Sequence, residues 1–118
     1  MTIEAEIYSA LKGLVGNRCF PDLAPLSTVR PYITYVQIGG EAISYLDNTV
    51  PDGKIGRFQI NVWGDTRASV SALMLQVEAA MIQATAFQAR PLSAPSSDYD
   101  HDSLVYGAMQ DFSVFSTR

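Results

Sequence analysis

The side chains best suited to chemistry lie in one cluster, Asp98-Tyr99-Asp100-His101-Asp102. Three carboxylates and an imidazole could hold a divalent ion or serve as general acid and base. The spacing argues against both. In an extended segment, neighbouring side chains point to opposite sides. The composition fits no defined calcium loop, and neither a nucleophile nor a phosphate-holding loop accompanies it. The cluster therefore reads as a solvated acidic loop, with His101 able at most to make a pH-sensitive contact. No metal and no other cofactor is expected.

Other candidates are weaker. Cys19 is the only cysteine, which excludes an intrachain disulfide. In Arg18-Cys19-Phe20-Pro21 it reads as a small buried hydrophobe, because a reactive thiol needs a nearby base and the sole histidine is distant in sequence. Gly39-Gly40 lacks the Lys-Ser/Thr pair and the helix of a phosphate-binding loop, and marks a strand end instead. Arg57 and Arg67 flank the main strand and could pair with carboxylates of a neighbour. Such surface pairs contribute about 0–1 kcal/mol, so they would set register more than affinity. Met74 and Met81 belong to a helix stripe and read as core. No catalytic residue emerges.

Composition narrows the class further. The 118 residues suit one domain, spanning 1–118, large enough for a real core. The chain is 47% apolar and 17% charged, which is globular with little charge to spare for a free surface, and this favours an oligomer. A net charge of −4 offers no basic footprint for sequence-specific nucleic-acid binding and no cluster for an anionic membrane. No stretch approaches the roughly 20 apolar residues of a membrane span, and no basic-then-apolar leader opens the chain. A soluble protein made in the cytoplasm is the expectation.

The elements that would position these residues follow from periodicity. Thr2 caps a first helix over residues 2–15, with Ile3, Ile7, Leu11 and Leu14 at helical spacing and Gly16 as its stop. A loop punctuated by Pro21, Pro25 and Pro31 follows. A strand is predicted over residues 32–38, a weaker one over 43–46, a turn over 47–53 and a strongly alternating strand over 57–63. Asp65 or Thr66 caps a second helix whose stripe is Val70, Leu73, Met74, Val77, Met81 and Ala84. Residues 92–97 read as a mobile link. Two strands close the chain, near 103–106 and 109–116, with Gly107 as a bulge or turn between them. The order implies an α+β fold: two helices packed on one face of a four- to five-stranded, mainly antiparallel sheet.

Alternation then divides the sheet. With Phe58, Ile60 and Val62 towards the helices, Arg57, Gln59, Asn61 and Trp63 point away. In the first long strand Tyr32, Thr34, Val36 and Ile38 are placed inward, leaving Ile33, Tyr35 and Gln37 outward. Phe112 and Val114 are placed inward and Phe115 outward. An outer face carrying Ile33, Tyr35, Trp63 and Phe115 among Arg57, Gln59 and Asn61 is a poor water surface and reads as a self-association or partner surface.

Several segments together resemble a known family. They are Ile7-Tyr8-Ser9-Ala10-Leu11, Arg18-Cys19-Phe20-Pro21-Asp22, Ala24-Pro25, Pro31-Tyr32-Ile33-Thr34-Tyr35 and Ile38-Gly39-Gly40. The strand Arg57-Phe58-Gln59-Ile60-Asn61-Val62-Trp63, the long helix after it and the closing Asp111-Phe112-Ser113-Val114 complete the set. In this order they resemble the phage and prophage tail-completion proteins, relatives of the tail terminators. The resemblance implies an α+β fold, no catalytic residues, and a homo-oligomeric ring, commonly of six subunits. That ring would cap the tail tube and contribute to the head–tail joint, with the tube protein and a head-completion protein as partners. It also implies assembly in the host cytoplasm and a final place in the virion tail. Asp98, Asp100 and Asp102 would suit a lumen or rim past which DNA moves, since like charge avoids trapping it. The alternative is a small dimeric α+β enzyme or ligand-binding protein with a pocket on the outer sheet face, for which Gln59 and Asn61 are the available polar groups.

Overall fold

Thr2 opens the first helix as expected: its hydroxyl oxygen accepts the Ala5 N–H at 3.2 Å, filling a donor the helix start leaves free. The computed structural model describes residues 2–118. Helix α1 spans Ile3–Leu11 and buries Ile3, Ile7 and Leu11. It tightens into a 3₁₀ turn over Lys12–Leu14 and ends where Gly16 takes a φ of 56°. The strands are β1 (Cys19–Pro21), β2 (Tyr32–Glu41) and β3 (Gly53–Gly64), followed after helix α2 (Arg67–Gln83) by β4 (Gln88–Pro91), β5 (Ser96–Asp100) and β6 (Val105–Thr117).

The six strands form one mixed sheet in the order β1-β2-β3-β6-β4, with β5 also on β6. Only β1 pairs parallel, against β2. Strands β4 and β5 share one edge of β6, β4 opposite its end and β5 opposite its start. Both helices pack on the same face of the sheet. There Phe58, Ile60, Val62, Phe112 and Val114 meet Ile7, Leu11, Val70, Met74, Val77 and Met81 in one core cluster. The α+β architecture with two helices on one sheet face is therefore present, with one strand more than the sequence suggests.

The differences have local causes. The two predicted strands near 103–106 and 109–116 are one strand, which begins at Val105 after a turn that holds Ser103 and Leu104, because Gly107 is no turn: it lies opposite Trp63, and a Cβ there would come within 2.7 Å of the indole ring. Residues 43–46 form no strand, since the ladder with β3 ends at Glu41 opposite Ile55 and the chain leaves the sheet. The supposed link over 92–97 includes the start of β5. That edge strand is held by main-chain pairing to β6 with no apolar alternation to announce it.

Strand β2 carries a bulge, because its register on β3 shifts between Gln37 and Gly40. Gly39 and Gly40 have φ values of 104° and 149° there. A Cβ on Gly40 would press into the Ile55 carbonyl oxygen across the ladder. Beyond the bulge, residues 42–52 are almost all exposed and form an arm between β2 and β3, and the molecule is 53 Å long against 25 and 23 Å across. Replacing Gly40→Ala is expected to destabilise the protein by about 1–3 kcal/mol. Urea unfolding checks this, and amide exchange should show the loss first at the Glu41–Ile55 end of the hairpin.

Candidate functional site

The face of the sheet without helices is built by alternation along β2, β3 and β6. Arg57, Gln59, Asn61 and Trp63 lie on it, as does Phe115 from β6. Ile33 and Tyr35 do not. They sit directly opposite Val62 and Ile60, and residues facing each other across a ladder share a face. Both are buried in the core under the helices, at 0% and 4% exposure. This corrects the expected facing of β2: Tyr32, Thr34, Val36 and Ile38 line the outer face instead. Both alternating sets of β2 are largely apolar, so only the register against β3 distinguishes them.

The outer face is only partly open. The loop over residues 22–30 folds above it and encloses a groove of about 690 Å³, whose floor includes Tyr32, Thr34, Val36, Asn61 and Trp63. Two anchors hold the loop. The Asp22 N–H donates to the Tyr35 carbonyl at 2.8 Å. Arg30 donates to Asp65 at 3.1 Å and to the Ser103 carbonyl at 2.9 Å. Leu23, Leu26 and Val29 nevertheless remain exposed, Leu26 almost completely at 99%. Sequence reasoning missed this cover. Its signal is a proline-punctuated stretch that keeps three large apolar residues without helical or strand periodicity.

The polar groups on this face satisfy one another. Arg57 donates twice to one Asp111 carboxylate oxygen, at 3.2 and 2.6 Å. Asn61 donates to Gln59 at 3.4 Å, and Gln59 donates to the Met109 sulfur at 3.6 Å. The Trp63 indole N–H reaches the Thr34 hydroxyl at 3.4 Å, and its ring covers Gly107. Phe115 covers Gly53 in the same way. Arg57 thus finds its carboxylate within its own chain. Arg67 is likewise held inside, donating to the carbonyls of Gly107 and Asp98 at 2.8 and 2.6 Å. A second groove, of about 470 Å³, lies towards the arm between Ile38, Ile55, Arg57, Arg90 and Leu92.

The acidic segment is split between β5, which carries Asp98 and Asp100, and the turn after it, which carries Asp102. Its carboxylates cap their own backbone. Asp98 accepts from the Tyr99 N–H at 2.8 Å, and Asp100 accepts from the Asp102 N–H at 3.0 Å and the Ser103 hydroxyl at 2.9 Å. His101 stacks edge-on against Tyr99. Among the described residues no group of three or more His, Cys, Asp or Glu side chains could hold a metal ion. Cys19 is buried, and burial pushes its thiol up to about 12, so it stays protonated and inert near neutral pH.

A buried polar contact was not foreseen. Gln110 replaces an apolar residue in the inward series Ala108, Gln110, Phe112, Val114, and that interruption is its sequence signal. Its amide donates to Glu78 of α2 at 2.6 Å and to the Ser93 carbonyl at 2.9 Å. It ties the helix to the crossover between β4 and β5.

Comparison with known proteins adds the following. The family described as Tail completion protein gp17 matches residues 6–117. Among solved structures, a chain from "Virion of native gene transfer agent (GTA) particle" superposes with a TM-score of 0.66 at 17% identity, covering 98% of this chain and 95% of that one. A second solved chain has a TM-score of 0.53 at 12% identity, again over 98% and 95%. At these identities the two share the fold. No curated protein matches the sequence.

Hydrogen bonds from the Ser103 hydroxyl and the Asp102 N–H hold the Asp100 carboxyl below the usual carboxylate range. A depressed folded-state value means that the carboxylate supports the turn above the unfolded value and releases it as pH falls through the folded one. The Asp102 amide is therefore expected to lose protection below pH about 4 while the core amides keep theirs. Hydrogen exchange across that range reads it.

Proposed function

The chain belongs to the Tail completion protein gp17 family, structural proteins of the phage tail, and we propose that it works by docking, as a ring-forming subunit that caps the tail tube and helps to join it to the head. The observation that carries this is the family match over residues 6–117, nearly the whole described chain. The surface supports it. Large apolar side chains stand uncovered on the 22–30 loop, on the hairpin arm and at Phe115. The polar groups of the outer sheet face are meanwhile paired with each other instead of converging on a ligand. A ring needs two different patches on each subunit, because head-to-tail contacts close a circle. A chain with this fold is part of the virion of a gene transfer agent particle, which favours the same destination here.

In this reading the tail tube protein and a head-completion protein meet the ring on its two sides, and six is the expected subunit number. Assembly takes place in the host cytoplasm, and the ring stays in the virion tail. The outer-face residues Arg57, Gln59, Asn61, Trp63 and Phe115 form part of the contact surface. Ile33 and Tyr35 support it from beneath. Asp98, Asp100 and Asp102 are solvent-exposed and are assigned to the rim past which DNA moves.

Deleting the chain from a phage that carries it tests the reading. Electron microscopy should then show filled heads and tails that fail to join. Intact infectious particles would refute it. Neutralising all three rim residues (Asp98→Asn, Asp100→Asn and Asp102→Asn) should leave particles that assemble but infect less well. Wild-type titres would remove the rim assignment alone.

A further inference from the structure

Helix α2 is apolar on both sides. Val70, Leu73, Met74, Val77 and Met81 are buried. Ala68, Ala72, Leu75, Ala79 and Ile82 follow one another at steps of four and three and are all exposed. That spacing keeps them on one face. Leu75 is 64% and Ile82 51% exposed. The other exposed side chains of α2 are serines and glutamines. Its two charged residues are tied down elsewhere, Arg67 to carbonyls of β5 and β6 and Glu78 to Gln110. A surface helix ordinarily keeps charged and polar residues opposite its buried stripe, and α2 has alanines, a leucine and an isoleucine there instead.

A second uncovered apolar surface lies at the tip of the β2–β3 arm, where Tyr45, Leu46 and Val50 are exposed, Leu46 at 105%. The tip is a built turn. The Asn48 N–H donates to the Tyr45 carbonyl at 3.1 Å, and one Asp47 carboxylate oxygen accepts both the Thr49 N–H at 3.1 Å and its hydroxyl at 2.7 Å. The charge nearest the apolar tip is thus already occupied within the turn.

We propose that the outer face of α2 receives the hairpin tip of a second copy of this chain, head to tail. The proposal rests on the ring reading above and names its contact. Electrostatics favour a second copy. The chain carries a net charge of −4, so copies repel over most of their surface. The α2 face carries no charge and the tip only Asp47, one of whose oxygens already accepts from Thr49, so their contact opposes no like charges. A phosphate backbone finds no cation on this face to hold it. The two patches are distinct, as a head-to-tail contact requires. Helix α2 is about 25 Å long and about 10 Å wide, so its outer half offers about 400 Å². With a like area from the tip, one contact buries about 800 Å² in total, less than the roughly 1,000 Å² that a lone pair needs for specific association. A single pair is weak, and closing the ring makes the assembly stable.

Disulfide trapping tests the contact, since the buried Cys19 thiol does not compete. In concentrated protein under mild oxidation, the double variant Leu46→Cys with Ala79→Cys should give a ladder of cross-linked species. Each single variant should stay uncross-linked, and a mixture of the two should stop at a dimer. Dimers from Ala79→Cys alone would mean that α2 pairs two-fold with itself, and would overturn the proposal. So would the absence of a ladder from the double variant. Independently, Ala79→Glu should keep the thermal melt of the wild type and weaken ring assembly at least tenfold, read by light scattering and in assembled particles. Rings undiminished by Ala79→Glu would overturn the α2 site and leave the ring reading standing. A wild-type chain that forms no ring, free or in particles, would remove the ring reading and this contact with it.

Discussion

Everything in the fold is referred to β3. Every residue from Gly53 to Gly64 faces a partner in β6, and β2 pairs along much of its other side. Its side chains alternate strictly, with Phe58, Ile60 and Val62 under the helices and Arg57, Gln59, Asn61 and Trp63 on the bare face. A slip of one residue would expose the first set and press a guanidinium and two amides into the core. Burying an unpartnered amide costs roughly 1–3 kcal/mol by protein measurements, and a charge costs more, so the register has no competitor. The neighbouring strands inherit their facing from it: Ile33 and Tyr35 from β2, and Gln110 and Phe112 from β6.

This constraint produces a molecule with one finished side and several unfinished surfaces. Beneath the helices the core closes around a polar intruder, Gln110, whose amide nitrogen is tied to Glu78 and Ser93 while its side-chain oxygen has no hydrogen-bond partner among the described residues. On the opposite face two aromatic rings lie over glycines, Trp63 over Gly107 and Phe115 over Gly53, which smooths the sheet. The polar side chains there pair laterally. What remains uncovered is apolar: the 22–30 loop, the hairpin tip and the outer side of α2. Such surfaces suit the docking role proposed for it. The glycine bulge in β2 lies at the base of the exposed arm.

Legibility in the sequence followed the strength of local patterning. Strand β3 alternates without ambiguity and could be read directly. Helix α2 was equally plain, but its cap was open between Asp65 and Thr66 until the Ser69 N–H on the Thr66 hydroxyl decided for Thr66. Strand β2 was recognisable, but its facing was not, because Tyr32, Val36 and Ile38 compete with Ile33 and Tyr35 as core candidates. Strand β5, Ser-Ser-Asp-Tyr-Asp, exists through main-chain bonds to an edge that only β6 supplies, and no side-chain pattern betrays it. Gly107 looked like a break because its partner, the Trp63 ring, lies across the ladder and more than forty residues away in sequence.

The sequence alone determined the fold class, the two helices, the inward stripe of β3, the inert character of Cys19 and the family. These rest on periodicity, composition and ordered motifs, all carried by residues close together along the chain. Tertiary structure decided which side of β2 is buried, that the 22–30 loop roofs the bare face, that the acidic carboxylates cap their own turn and that α2 keeps an apolar side towards solvent. Each of these depends on which distant segment lies opposite, and strand register settles that through hydrogen bonds and burial that no local window contains.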